Sequence, residues 1–257
     1  DQPADACTLI EGTGPHLLLI GDSHAGMMIP TLRAIARTHN LTLSVAVRSV
    51  CPWQRHLFVR GLAGLDQRIE DCERDKDDLY DRVIPDLDPD VIVAMNRGYE
   101  VLSGVFRYVG PDRQPFENGS PALEPWLETN TVSALQELRA EGRRVVLLKP
   151  VPYPAEGFNT LACLSQATVV EECRYAVEAS PPSVEPLYDR LDGGDEQAWS
   201  VDLDQLICPF LPVCDPIIDG VVVTTDGTHL TRTYARSLGP ALAQFLQQNG
   251  IIPGADE

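Results

Sequence analysis

Three short apolar runs constrain this chain most: Leu17-Leu18-Leu19-Ile20, Val91-Ile92-Val93-Ala94-Met95 and Val145-Val146-Leu147-Leu148. Each is apolar throughout and too short for a helix of ordinary length, which fits a strand covered on both faces. Strands of that kind require helices above and below their sheet, and the intervening segments supply them. Ala25 to Arg37 carries Met28, Leu32 and Ile35 at helical spacing, with Pro30 early, where a missing N–H is best tolerated. Asp66 to Ile84 reads as a highly charged helix with Asp77, Asp78 and Asp81 on a solvated face. Thr131 to Ala140 is a helix with Val132, Leu135 and Leu138 inward, and Thr42 to Val47 and Trp199 to Leu203 add strands. Thr231 to Gln248 closes the chain as a helix, with Leu238, Leu242, Phe245 and Leu246 inward and Gly250 as its stop. This alternation predicts an α/β fold, a three-layer αβα sandwich around a mostly parallel central sheet, flavodoxin-like in plan. No repeat or low-complexity linker divides the 257 residues, so a single domain, 1–257, is expected, with 1–14 as a linker segment.

Chemistry enters where the first run ends. Gly21-Asp22-Ser23-His24 lies between the expected strand and the expected helix, so Ser23 sits at the carboxyl end of the sheet beside free helical N–H groups. Such donors stabilise an oxyanion, and the position suits a nucleophile. Serine needs a base. Asp226-Gly227-Thr228-His229-Leu230, just before the last helix, offers His229 as the base and Asp226 as the group that orients it. Either motif alone also fits an ordinary turn, in which Asp226 or Thr228 caps the last helix. Their joint presence at opposite ends of one α/β domain favours a divided serine-hydrolase site, since ligand sites in open sheets form at the carboxyl ends of the strands.

Charge and cysteines narrow the setting. Twenty basic and 38 acidic residues give a net charge of −18, which argues against nucleic acid as a partner. No run is long enough to span a membrane, and no signal-peptide pattern opens the chain. Of seven cysteines, six fall into close pairs flanking loop-like segments: Cys51 with Cys72, Cys163 with Cys173, and Cys208 with Cys214. Disulfides in an oxidising compartment are the expected reading. A zinc site is the weaker one, because no C-x-x-C pair exists and the histidines do not cluster with the cysteines. Cys7 is left over. No cofactor and no metal are expected.

The motifs together resemble the SGNH (GDSL-type) hydrolases, and more narrowly the extracytoplasmic SGNH domain fused to bacterial membrane acyltransferases of family 3. The resemblance rests on Gly21-Asp22-Ser23-His24-Ala25, Ser49-Val50-Cys51-Pro52, Pro89-Asp90-Val91, Pro150-Val151-Pro152, Cys208-Pro209 with Cys214, and Asp226-Gly227-Thr228-His229-Leu230. It implies the SGNH-hydrolase fold and a serine acyl-enzyme built from Ser23, His229 and Asp226. It also implies an acyl donor delivered by a membrane acyltransferase domain, a surface glycan or glycolipid as acceptor, and an extracytoplasmic domain tethered to the membrane in the full-length protein. Acyl transfer, with acetyl expected, and ester hydrolysis share that intermediate. A secreted esterase and a non-catalytic glycan-binding or partner-docking module are the alternatives.

This chain departs from the family pattern around the oxyanion. The second strand is followed by Arg48-Ser49-Val50-Cys51, without the usual glycine, which makes Ser49 a candidate backbone donor. After the third strand comes Asn96-Arg97-Gly98 rather than glycine followed by asparagine. Asn96 is a candidate side-chain donor and Arg97 an electrostatic or substrate-binding group, although a turn residue and a surface charge fit equally. Asp22 is expected to tighten the nucleophile turn. Trp53 and Tyr99 are candidates for stacking on a sugar face, and 150–157 for a substrate loop. Asp22, His24, Asp226 and His229 together are the one set that could hold a divalent metal.

Overall fold

The computed structural model describes residues 3–61, 66–99, 106–110, 112–117, 120–154, 157–177, 182–192 and 197–254. Six strands form the central sheet: β1 (Thr8–Ile10), β2 (Gly14–Gly21), β3 (Leu41–Val47), β4 (Val91–Met95), β5 (Arg144–Leu148) and β6 (Ala198–Val201). Their spatial order is β1-β3-β2-β4-β5-β6. β2 through β6 run parallel, and β1 alone is antiparallel, against β3. The chain steps from β2 to β3 on one side and then returns to β4 on the other. That reversal opens a crevice at the carboxyl end of β2, where Ser23 follows.

Alternate residues of each strand feed two cores. Leu17, Leu19, Val91, Val93, Val146 and Leu148 pack against α1 (Ser23–Met27), α2 (Ile29–Thr38), α6 (Arg232–Ser237) and α7 (Gly239–Gln248). Leu18, Ile20, Ile92, Ala94, Val145 and Leu147 face the helical segment that begins with α3 (Asp66–Asp78), together with α4 (Leu123–Leu138) and α5 (Val184–Leu191). Complete burial of both sets explains why the strands read as continuous apolar runs rather than alternating ones. The expected three layers are present.

Proline accounts for most boundary differences. The helix expected over 25–37 starts at Ser23 and breaks at Met28, because Pro30 at the start of α2 has no N–H to continue the first helix. Gly239 and Pro240 likewise divide the closing helix into α6 and α7, with Thr231 capping α6 through its side chain. The charged helix passes from α3 through a wider π turn, Leu79–Val83, to Ile84–Leu87. α4 begins at Leu123 rather than Thr131, because its first turns hold Pro125, Thr129 and Asn130, all poor markers of a helix interior. β6 ends at Val201, short of Leu203.

The segment 1–14, expected as a linker, joins the fold as far as it is described. Ala4–Cys7 forms a buried-edged helical turn, and Thr8 and Ile10 pair with Ser44 and Leu43 of β3. Pairing there covers an edge that β3 would otherwise expose. Disulfides join Cys51 to Cys72, Cys163 to Cys173 and Cys208 to Cys214, and Cys7 is free. No helix among the described residues is long and apolar enough to cross a membrane.

Candidate active site

The nucleophile turn starts at Gly21, whose φ of +133° lies in a region that side-chain-bearing residues avoid. A Cβ there would fall 1.8 Å from the Met95 carbonyl oxygen, so only glycine lets the end of β2 lie this close to β4. Asp22 then caps α1, its Oδ1 accepting from the His24 N–H at 2.8 Å. Oδ2 accepts from the Arg97 backbone N–H at 3.1 Å and from the Tyr99 hydroxyl at 2.5 Å. Burial raises the Asp22 carboxyl above its ordinary range, against the lowering effect of those three donors. Asp22 is therefore a buried brace between the nucleophile turn and the loop after β4, and Ser23 follows it directly.

The histidine loop is built differently. Gly227, at φ +89°, turns the chain so that Asp226 Oδ1 receives the Thr228 N–H at 2.9 Å and the His229 N–H at 2.8 Å. The Thr228 hydroxyl donates to the same oxygen at 3.0 Å. Asp226 Oδ2 lies 2.8 Å from His229 Nδ1, and His229 Nε2 lies 2.8 Å from Ser23 Oγ. Partial burial disfavours the Asp226 charge. The hydrogen bonds from the His229 ring and the two N–H groups outweigh it and hold the carboxyl well below the usual carboxylate range. An ionised Asp226 fixes Nδ1 as the protonated nitrogen and leaves Nε2 to accept from serine.

Two helix pairs set the spacing between Ser23 and His229, which are 206 residues apart in sequence. α2 follows Ser23, α6 and α7 follow His229, and these helices pack on one another. The Thr31 hydroxyl donates to the Ala235 carbonyl at 2.5 Å, and the Leu230 N–H meets Met27 Sδ at 3.3 Å. His24 lies under the pair, its ring centroid 4.7 Å from that of His229 and 5.8 Å from that of Tyr153. It is fully buried, and neither ring nitrogen is hydrogen-bonded among the described residues. Burial, with Arg97 and His229 adding to it, pushes its basicity well below the ordinary range, so the ring is neutral.

The remaining candidates fall in different places. Asn96 is buried and its amide donates to the Arg97 carbonyl at 2.9 Å, with Tyr188 against its Oδ1 at 3.4 Å. The Gly98 N–H is taken by the Tyr153 hydroxyl at 3.0 Å. Both groups brace the loop after β4. Arg97 is buried with its guanidinium 5.4–5.9 Å from the rings of Tyr99, Phe106 and Tyr153. It is no surface charge. Ser49 is exposed in the turn after β3, and its side chain makes no hydrogen bond among the described residues. Trp53 and Tyr99 cannot stack on a sugar, because both are buried: Trp53 donates to the Tyr188 hydroxyl at 3.0 Å and Tyr99 holds Asp22. Of the 150–157 segment, residues 155 and 156 lie outside the described residues, and Tyr153 is a buried support of the site. Asp22, His24, Asp226 and His229 do not converge, since the Asp22 oxygens face backbone and Tyr99. Among the described residues no three His, Cys, Asp or Glu side chains share a metal position. The sequence shows Thr228 only as a turn or capping residue of its motif and Tyr153 only as part of a substrate-loop candidate, because nothing near either marks the contacts it makes.

A cavity of about 180 Å³ is lined by Gly21, Val47, Arg48, Trp53, Lys76 and Leu79 among others, but neither Ser23 nor His229 forms its wall.

A serine at a strand-turn-helix junction facing a histidine–aspartate pair is the arrangement that serine hydrolases use. A family profile described as SGNH domain (fused to AT3 domains) matches residues 1–244, and the chain belongs to that family. Solved structures agree in fold at low identity. The lipopolysaccharide acetyltransferase periplasmic domain of Salmonella ser. Paratyphi A is 13% identical, with a TM-score of 0.63 over 95% of this chain and 87% of that one. A putative acylhydrolase from Bacteroides fragilis is 13% identical, with a TM-score of 0.55 over 93% and 91%. A Corynascus carbohydrate esterase of family 2 carrying a carbohydrate-binding domain is 15% identical, with a TM-score of 0.51 over 93% and 68%. No curated protein sequence gives a significant match.

Proposed function

We propose that this chain is a serine-dependent O-acyltransferase or esterase domain that moves an acyl group, acetyl being the expected one, to or from a surface glycan or glycolipid. The observation that carries this reading is the unbroken relay Asp226–His229–Ser23, with 2.8 Å at both links. In this mechanism Ser23 Oγ attacks the acyl carbonyl while His229 Nε2 takes its proton. Asp226 stabilises the imidazolium, and His229 then returns the proton to the departing alcohol. The Ser23 N–H, first in α1 and without an intrahelical partner, is the secure donor to the tetrahedral oxyanion. A sugar hydroxyl or water attacks the acyl-enzyme next, which decides between transfer and hydrolysis.

Three disulfides support an oxidising, extracytoplasmic setting. Family membership supports a membrane acyltransferase domain as the source of the acyl group and as the tether. Several apolar spans of about 20 residues each in the full-length gene product would support that arrangement, and a secreted esterase would lack them. A fluorophosphonate probe should label the wild-type chain and not Ser23→Ala. Undiminished labelling of the variant removes Ser23 as the nucleophile.

The engagement of the Asn96 amide by the Arg97 carbonyl and of the Gly98 N–H by the Tyr153 hydroxyl favours one other reading, a glycan-binding module that has kept the fold and lost turnover. That reading requires glycan binding unchanged in Ser23→Ala and no turnover of any ester.

A further inference from the structure

Arg97 is a charged side chain in an unusual position. It is 7% exposed, yet its Nε and Nη2 have no hydrogen-bond partner among the described residues. No carboxylate pairs with its guanidinium among the described residues. Asp22, the acid its backbone touches, spends its oxygens on Tyr99 and on two backbone N–H groups. What surrounds the guanidinium instead is three aromatic faces, those of Phe106 at 5.4 Å and of Tyr99 and Tyr153 at 5.9 Å. Aromatic faces hold a cation in place without using its N–H groups. Burying a guanidinium with unmade hydrogen bonds is costly, and an incoming anion would recover that cost.

The position relates it to the chemistry. Its N–H binds the residue just before Ser23, and the Tyr153 ring beside it also contacts His24, whose ring lies tilted against that of His229. His24, a neutral ring, adds two more buried nitrogens without partners among the described residues. Arg97 is thus a buried cation behind the Ser23 turn, inside a chain whose net charge is −18. A local cation is what an anionic substrate would need to overcome that overall repulsion.

We infer that Arg97 is a specificity residue that receives a carboxylate of the substrate next to the ester that Ser23 attacks. Nε and Nη2 form one edge of the guanidinium, two parallel N–H groups at the spacing of carboxylate oxygens. Both atoms are buried as the side chain stands, so this binding mode requires the guanidinium to shift and expose that edge. The inference rests on the serine-esterase reading above. The carboxylate can belong to the acyl group or to the alcohol, so two ester pairs separate the sources. 4-Nitrophenyl glutarate is compared with 4-nitrophenyl butyrate for the acyl side, and 3-acetoxybenzoate with 3-methylphenyl acetate for the alcohol side, all at about 0.15 M salt so that long-range repulsion is screened.

The wild-type domain should prefer the charged ester in one pair by about tenfold or more in kcat/KM. Arg97→Gln should raise KM for that ester about 10–100-fold, the loss expected for a charge-assisted hydrogen bond, with kcat and the neutral ester changed less than about threefold. Arg97→Lys, which keeps the charge and loses the fork, should fall between. A purely structural guanidinium that offsets Asp22 gives a different result: Arg97→Gln slows charged and neutral esters alike. That outcome overturns the inference, as does equal wild-type handling of both members in both pairs. Fluorophosphonate labelling of Ser23 in the same samples separates the two levels. Labelling without charge preference sinks the inference alone, whereas absence of both labelling and hydrolysis sinks the esterase reading and the inference with it.

Discussion

The two halves of the site are held by opposite means. Asp22, fully buried, ties the Ser23 turn to the core through Tyr99 and the loop after β4. Asp226 is half-exposed and ties the His229 loop only to itself, through bonds spanning three residues. Ser23 is positioned by the buried core and His229 by a four-residue turn. Disturbing the first should therefore cost stability as well as rate, and disturbing the second should cost rate alone.

Asp226→Asn tests that contrast most sharply. It keeps the turn's shape but offers the wrong partner to His229 Nδ1, and esterase activity should fall by about 10³–10⁴-fold. The melting temperature should move by no more than about 2 °C, because the half-exposed turn contributes little to stability. A large drop in melting temperature would show that the loop is part of the core after all. Asp22→Ala should behave in reverse order of emphasis. Removing the buried carboxylate strands the Tyr99 hydroxyl and two N–H groups, at about 1–3 kcal/mol each if none finds water. Thermal unfolding should drop by about 5–10 °C for a domain of this size, with activity falling alongside it.

His24→Phe sharpens the comparison inside the nucleophile half. Because neither ring nitrogen is bonded among the described residues, the imidazole serves by its shape, tilted against His229. Phenylalanine should retain activity within about tenfold, whereas His24→Ala, which leaves a cavity, should lose more and melt lower by several degrees. Equal inactivation of both variants would mean that a nitrogen of His24 enters the chemistry.

The smallest effect lies outside both halves. Burial raises Glu185 to about 8, with Asp204 adding to it, and burial with Asp202 raises Asp204 to about 7. Both carboxyls hold protons in the folded chain at pH values where the unfolded chain has released them, so folding takes up protons there. Stability should fall as pH rises from about 4 to 8. Glu185→Gln should flatten that slope, raising the melting temperature by a few degrees at pH 8 and leaving it unchanged near pH 4. A wild-type melting temperature that is flat across this range would contradict the raised values.

Much of this was legible in the sequence, and unevenly so. The buried strands announced themselves because residues covered on both faces must all be apolar. Ser23, Asp226 and His229 were legible because each lies in a compact local motif whose spacing already carries its geometry. The buttress was not. Tyr99, Tyr153 and Arg97 act through contacts across 50 or more residues of sequence, and nothing near them marks a tyrosine as buried or an arginine as caged. The same reasoning explains why Asn96 looked like a free donor: its partner, the next residue's carbonyl, is chosen by the fold of a loop and not by a pattern.

The packing of α2 on α6 and α7 also bears on when the domain becomes active. Ser23 is made 206 residues before His229, and bringing the two together must await α6 and α7. Under the proposed mechanism, a chain still emerging during synthesis carries Ser23 without a proton acceptor, and so would neither acylate itself nor cleave esters on the way. Turnover on that mechanism requires α6 and α7 to dock, which would make it a direct reporter of complete folding of this domain.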